Sequence, residues 1–139
     1  MKNLFYSTLL ATILLIGCLD DPQSPPEENV AVGTVIAEFV DAETTQPLEG
    51  EPFSVSLFFD SVGEYLFVDG IRETDENGLL EIQLQIQSNQ QEMVSAINFG
   101  YEGTNLDIDD ITEDINLELR FEEPFDEAEV YIEIDTGNQ

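Results

Sequence analysis

The chain has 139 residues, with 31 Asp and Glu against three Lys and Arg, no His, a single Cys and a formal charge of −28. The lack of His excludes His-based catalysis and His-ligated metals, and one Cys excludes an intrachain disulfide, a CxxC redox pair and a thiolate zinc cage. The acidity excludes nucleic acid as a partner, because its phosphates would be repelled, while a 42% hydrophobic content is enough for one packed domain.

The chain opens with a charged residue, Lys2, and a run of 13 residues from Leu4 to Ile16 that is apolar or hydroxylated throughout. A membrane-spanning helix needs ~20 residues, so the run is too short for a transmembrane anchor. A basic start, a short apolar stretch and small residues at its end read as a secretory signal over residues 1–17. The end is Leu15-Ile16-Gly17-Cys18. It resembles the lipobox of bacterial lipoproteins, with an apolar residue three before the Cys and a small residue just before it. The resemblance implies cleavage before Cys18 and diacylglycerol on its sulfur, and so a membrane partner reached through that residue. An ordinary signal peptide with an incidental Cys is the alternative. Leu19 follows the Cys, where an Asp would favour inner-membrane retention. Asp20 and Asp21 are similar to the surface-export signal of some lipoproteins, so the outer membrane or cell surface is the expected location.

Residues 18–29 carry Pro22, Pro25 and Pro26 together with Asp20, Asp21, Glu27 and Glu28. This composition predicts an extended tether that holds a domain away from the membrane. Beyond the leader, Arg72 and Arg120 are the only cations. The screening length is about 10 Å at ~0.1 M salt and about 3 Å at ~1 M, so salt removes most of the repulsion among the acids. The acids are spread along the chain, which favours adaptation to a saline solvent over cation binding. The expected result is a melting temperature that rises from millimolar to molar NaCl. A flat or falling value would remove the salt argument.

From Val30 the pattern has period two, the signature of half-buried strands. Val35, Ala37 and Phe39 form one apolar face, and Phe53, Val55, Leu57 and Phe59 form another. Tyr65-Leu66-Phe67-Val68 is a short apolar run expected to be buried on both faces. Leu80, Ile82, Leu84 and Ile86 alternate with Glu81, Gln83, Gln85 and Gln87. Met93, Ile97 and Phe99 mark a strand, as do Ile115, Leu117, Leu119 and Phe121. Val130, Ile132 and Ile134 mark the last. Residues 107–114 are expected to form one helical turn, and Asn77-Gly78 is a hairpin cue. The reading is an all-β, seven-stranded Greek-key β-sandwich over residues 30–136, followed by a tail at 137–139.

The turns carry a second resemblance. Asp41-x-x-Thr44-x-x-Pro47-Leu48-x-Gly50 is followed by Thr74-Asp75-x-x-Gly78, and later by Gly100-Tyr101. In order and spacing this resembles the carboxypeptidase regulatory-like domain, a transthyretin-like (prealbumin-like) sandwich. Thr45 stands where that family usually has Gly, and Leu80 where it has an aromatic residue. The resemblance implies a module that binds, spaces or stabilises, without catalytic residues.

Candidate chemistry is sparse. Counted from Asp75, an EF-hand would need oxygen ligands where Leu79 and Ile86 stand, so this segment reads as a turn. Asp107, Asp109 and Asp110 form the densest acidic cluster and are the candidate Ca²⁺ ligands, with a solvated loop as the alternative. No His or mature Lys is present to activate a nucleophile. Tyr65, Tyr101 and Tyr131 are candidates for stacking on sugar rings, against packing on the sheets. The expected protein is a non-enzymatic lipoprotein, free of obligatory cofactors, that meets a protein partner in the cell envelope. A glycan- or calcium-binding surface module is the alternative. A contiguous apolar patch on a sheet edge would favour the protein partner.

Overall fold

A computed structural model describes residues 29–137. They form strands β1 (Asn29–Asp41), β2 (Pro52–Phe59), β3 (Glu64–Glu73), β4 (Leu79–Ser88), β5 (Glu92–Tyr101), β6 (Ile111–Leu119) and β7 (Asp126–Ile134), with no helix among them. Two sheets result, in the orders β4-β1-β7 and β3-β2-β5-β6. In the first, β1 runs antiparallel to β4 and parallel to β7. The second is antiparallel throughout.

The alternation seen in the sequence decides which side of each strand faces in. Val35, opposite Ile82 on β4 and Ala128 on β7, is fully buried. Polar residues such as Glu81, Gln83 and Glu129 alternate outward. The two inner faces meet at an aromatic cluster. The ring of Phe39 on β1 stacks on Phe53 of β2 with centroids 4.4 Å apart. Phe99 of β5 meets Phe39 edge-on at 5.1 Å. Both are geometries the ring quadrupole favours. The sheets approach closely at Gly33, where an added Cβ would lie 2.6 Å from Cδ2 of the buried Leu119.

The turns serve this packing. Asp41 ends β1, and its Oδ1 accepts from the amides of Glu43 (3.0 Å) and Thr44 (2.7 Å) and from the Thr44 hydroxyl (2.8 Å). Its Oδ2 accepts from the Thr136 hydroxyl, 95 residues later. One carboxylate therefore shapes the β1–β2 loop and ties down the end of the chain. Thr45 adopts φ 57°, a left-handed backbone that a β-branched residue rarely takes. Buried Thr74 bridges the two turn motifs: its hydroxyl donates to the Leu48 carbonyl at 2.5 Å and accepts from the Glu51 amide at 2.9 Å.

These hydrogen bonds hold the Asp41 carboxyl down from 3.8 to about 2, with the Thr136 hydroxyl the largest cause and the Thr44 amide next. A pKa depressed in the folded state adds stability that is complete above the unfolded pKa and is lost as pH falls through the folded one. Asp41→Asn is therefore expected to lower the melting temperature by several degrees at pH 7. The gap to the parent should close between about pH 4 and pH 2. Melting curves across that range check it, and a gap independent of pH would contradict it.

Three local expectations are corrected. Residues 107–114 form no helical turn: β6 begins at Ile111, which pairs opposite Phe99 of β5. Ladder hydrogen bonds to β5 outweigh the weak helical spacing of Ile108, Ile111 and Ile115. Asn77-Gly78 makes a turn but joins no hairpin, because β3 and β4 lie in different sheets and the Gly78 carbonyl accepts from the Phe39 amide of β1 at 2.9 Å. The third correction concerns Tyr65–Val68. That run is a sheet edge and is largely exposed.

Candidate functional site

The two lateral sides of the sandwich differ. On one side the end of β6 is stitched to the facing sheet, to β1 and to β7. Val32 and Arg120 exchange backbone hydrogen bonds of 2.7 and 3.0 Å, and Asp126 accepts from the Glu118 amide at 2.9 Å. On the other side β3 and β4 are each the last strand of their sheet, and no described strand pairs with their outer edges.

This open side carries the apolar surface. Of the nine exposed large apolar side chains among the described residues, Val62, Tyr65, Leu66, Phe67 and Ile71 lie on β3 or just before it. Phe67 is 81% exposed, Ile71 60% and Leu66 41%. Pairing fixes their directions. Leu66 lies opposite Leu57 and Val68 opposite Val55, so both face inward. Tyr65 lies opposite Phe58 and Phe67 opposite Ser56, on the outer face. The ladder is interrupted between Phe53 and Val55 of β2, where Asp69, Gly70 and Ile71 oppose a single residue and Gly70 adopts φ 85°. That bulge and the charges of Glu64, Asp69, Arg72 and Glu73 are devices that protect an edge from indiscriminate pairing. They leave Tyr65–Val68 unguarded.

Between the two edges runs a cleft. One hollow of about 710 Å³ is walled by Val30, Phe59, Leu66 and Ile86, with Glu92 among its polar lining. A second, of about 340 Å³, shares Phe59, Leu66 and Ile86 and reaches Val68 and Arg72. The Glu92 side chain is buried and accepts from the hydroxyls of Ser61 and Ser88, the latter at 3.0 Å. The Ser61 bond above all holds its carboxyl below the usual range against the opposing effect of burial. A carboxylate ionised at neutral pH therefore marks one end of the cleft. Arg72 marks the other, and the sole ion pair among the described residues is that of Arg120 with Glu118, 2.9 Å.

The residues singled out from sequence fall elsewhere. Cys18 and residues 1–28 lie outside the described residues. Asp107, Asp109 and Asp110 are exposed on the segment between β5 and β6. Among the described residues no three acidic or Cys side chains gather as metal ligands would. Asp75 spends one carboxylate oxygen on the amides of Asn77 and Leu79, each at 2.8 Å, a turn role. Tyr101 is half-buried against Phe53, and its hydroxyl donates to Glu51 at 2.6 Å. Tyr131 is exposed on β7, far from Tyr65 in sheet order. The Tyr65 ring meets Phe58 at 69°, so the two form no flat platform for a sugar.

No family model matches the chain. No curated protein matches it either. The open edge is thus defined by geometry alone. A sequence cue for it did exist. Tyr65–Val68 is only four residues long and is bounded by Glu64 and Asp69, with Gly63 and Gly70 beyond. Short strands flanked by charge and Gly belong at edges.

Proposed function

We propose that this protein is an exported, membrane-anchored lipoprotein that displays a Greek-key, transthyretin-like sandwich as a non-catalytic binding module of the cell envelope. The observation that carries the binding role is the run of exposed apolar side chains along β3 on an otherwise strongly acidic protein. Large exposed apolar patches on soluble domains mark interaction sites.

The Greek-key reading is supported by connectivity. The chain crosses between the sheets at β1–β2, β3–β4, β4–β5 and β6–β7, and β1 and β7 pair in parallel. The turn motifs that carry the family resemblance come together at one end of the sandwich through Thr74. They stabilise loops, in keeping with a module whose binding surface lies elsewhere. The anchor is supported by Leu15-Ile16-Gly17-Cys18, and the display by the Pro-rich acidic segment after it. Two or more acyl chains give stable membrane attachment.

Mass spectrometry of the chain expressed with its leader in a bacterial host tests the anchor. The expected product begins at Cys18 and carries diacylglycerol, and Cys18→Ser leaves the leader uncut. An unmodified Cys18 on an intact leader would refute the reading.

A further inference from the structure

We propose that the open side binds an extended segment of a partner polypeptide as an added strand on β3, apolar at alternate positions and bearing a Lys or Arg that reaches Glu92. The inference rests on the binding-module reading and names its surface and the chemistry of its partner.

Three features select this occupant. First, β3 presents backbone N–H and C=O groups with no ladder partner among the described residues, the template on which peptides add as strands. Second, side chains of an added strand alternate between faces. The inward set would fill the cleft against Leu66, Val68 and Ile86, and the outward set would lie beside Tyr65 and Phe67. Third, charge complementarity separates the candidates. The chain bears −28, and the carboxylates lining the cleft are Glu92 and Asp69. A basic strand gains from both. A second copy brings another −28 against it. The chain's own segment 19–28 brings Asp20, Asp21, Glu27 and Glu28 and no cation. At the far end Arg72, which forms no ion pair among the described residues, offers donors to a carbonyl or carboxylate of the incoming strand.

The test uses the full-length chain and four synthetic ten-residue peptides, alternating Val-Lys, Ser-Lys, Val-Glu and Val-Gln. Amide hydrogen exchange at Tyr65–Val68 reports strand addition, and a titration gives affinity. The expected result is protection of the β3 amides by Val-Lys, with affinity about tenfold above Ser-Lys and no protection by Val-Glu. Phe67→Ser, an exposed position that keeps the fold, should weaken Val-Lys several-fold. Glu92→Gln should narrow its preference over a Val-Gln peptide, with a melting curve confirming that the variant folds. Equal binding of Val-Lys and Ser-Lys, or protection away from β3, overturns the proposal. So does β3 protection without peptide, whether it grows with protein concentration (a second copy) or vanishes when residues 19–28 are deleted (the tether). A failed peptide test beside a lipidated Cys18 rejects the edge site and leaves the anchored-display reading standing. A bound peptide beside an unmodified Cys18 does the reverse.

Discussion

Phe39→Ala is expected to cost about 3–5 kcal/mol. Phe39 is fully buried and lies where the sheets meet, stacked on Phe53 and edge-on to Phe99. Truncation removes the buried area of the ring, both aromatic contacts and the wedge between β1 and β2. The neighbours cannot collapse into the space, because each belongs to a hydrogen-bonded ladder. Domains of this size have about 5–15 kcal/mol in total, so the loss is a large fraction of it. The melting temperature should fall by about 10–20 °C. Phe39→Leu, which keeps most of the volume, should cost roughly 1–2 kcal/mol. Urea titration of the three proteins checks the order. A loss below about 1 kcal/mol for the Ala variant would mean that the sheets are not packed through this ring.

Gly78→Ala is the second large effect, and its cause is different. Gly78 adopts φ 73°, which costs an L-residue about 1–2 kcal/mol. An added Cβ would also drive into the Phe39 carbonyl and come within 3.1 Å of the Leu48 amide. Those two groups are hydrogen-bonded to each other at 3.0 Å, and the Phe39 amide donates to the Gly78 carbonyl at 2.9 Å. Relieving the clash therefore pulls β1 away from the loop that Leu48 anchors. The expected total is about 3 kcal/mol. Gly50→Ala separates the two contributions. Gly50 has a similar φ of 71°, but a Cβ there meets nothing within 4 Å. It should show the backbone cost alone, about 1–2 kcal/mol. Equal melting temperatures for the two Ala variants would remove the clash argument.

Both predictions draw on parts of the molecule that the sequence makes legible. The alternation of β2, β4 and β7 identifies their inward faces, because each has one wet side and one dry side. The turn motifs fix where β1 stops and where β4 starts, because Asp41, Thr74 and Gly78 have local geometric roles. By periodicity alone, without the charge and Gly that flank it, β3 is legible only as a strand. Four consecutive apolar residues look the same whether neighbours cover them or nothing does. Periodicity reports how a strand relates to its two faces and says nothing about its rank in the sheet. Rank comes from long-range pairing, here of β2 with β5 rather than with β4. The same reason explains Asn77-Gly78: the turn is local, but its partner strand was set by β1. The candidate cleft also has no sequence signature, since Leu66 of β3 and Ile86 of β4 meet only through the stacking of two sheet edges.

The placement of β1 has a further consequence. This first strand lies between β4 and β7, and its parallel neighbour Asp126–Ile134 is the last of the described strands in chain order. The β1–β7 ladder therefore cannot close until every other described strand has been made. Topologies dominated by such distant pairings fold slowly. In the exported protein proposed above, that delay would keep the polypeptide threadable until it had crossed the bilayer.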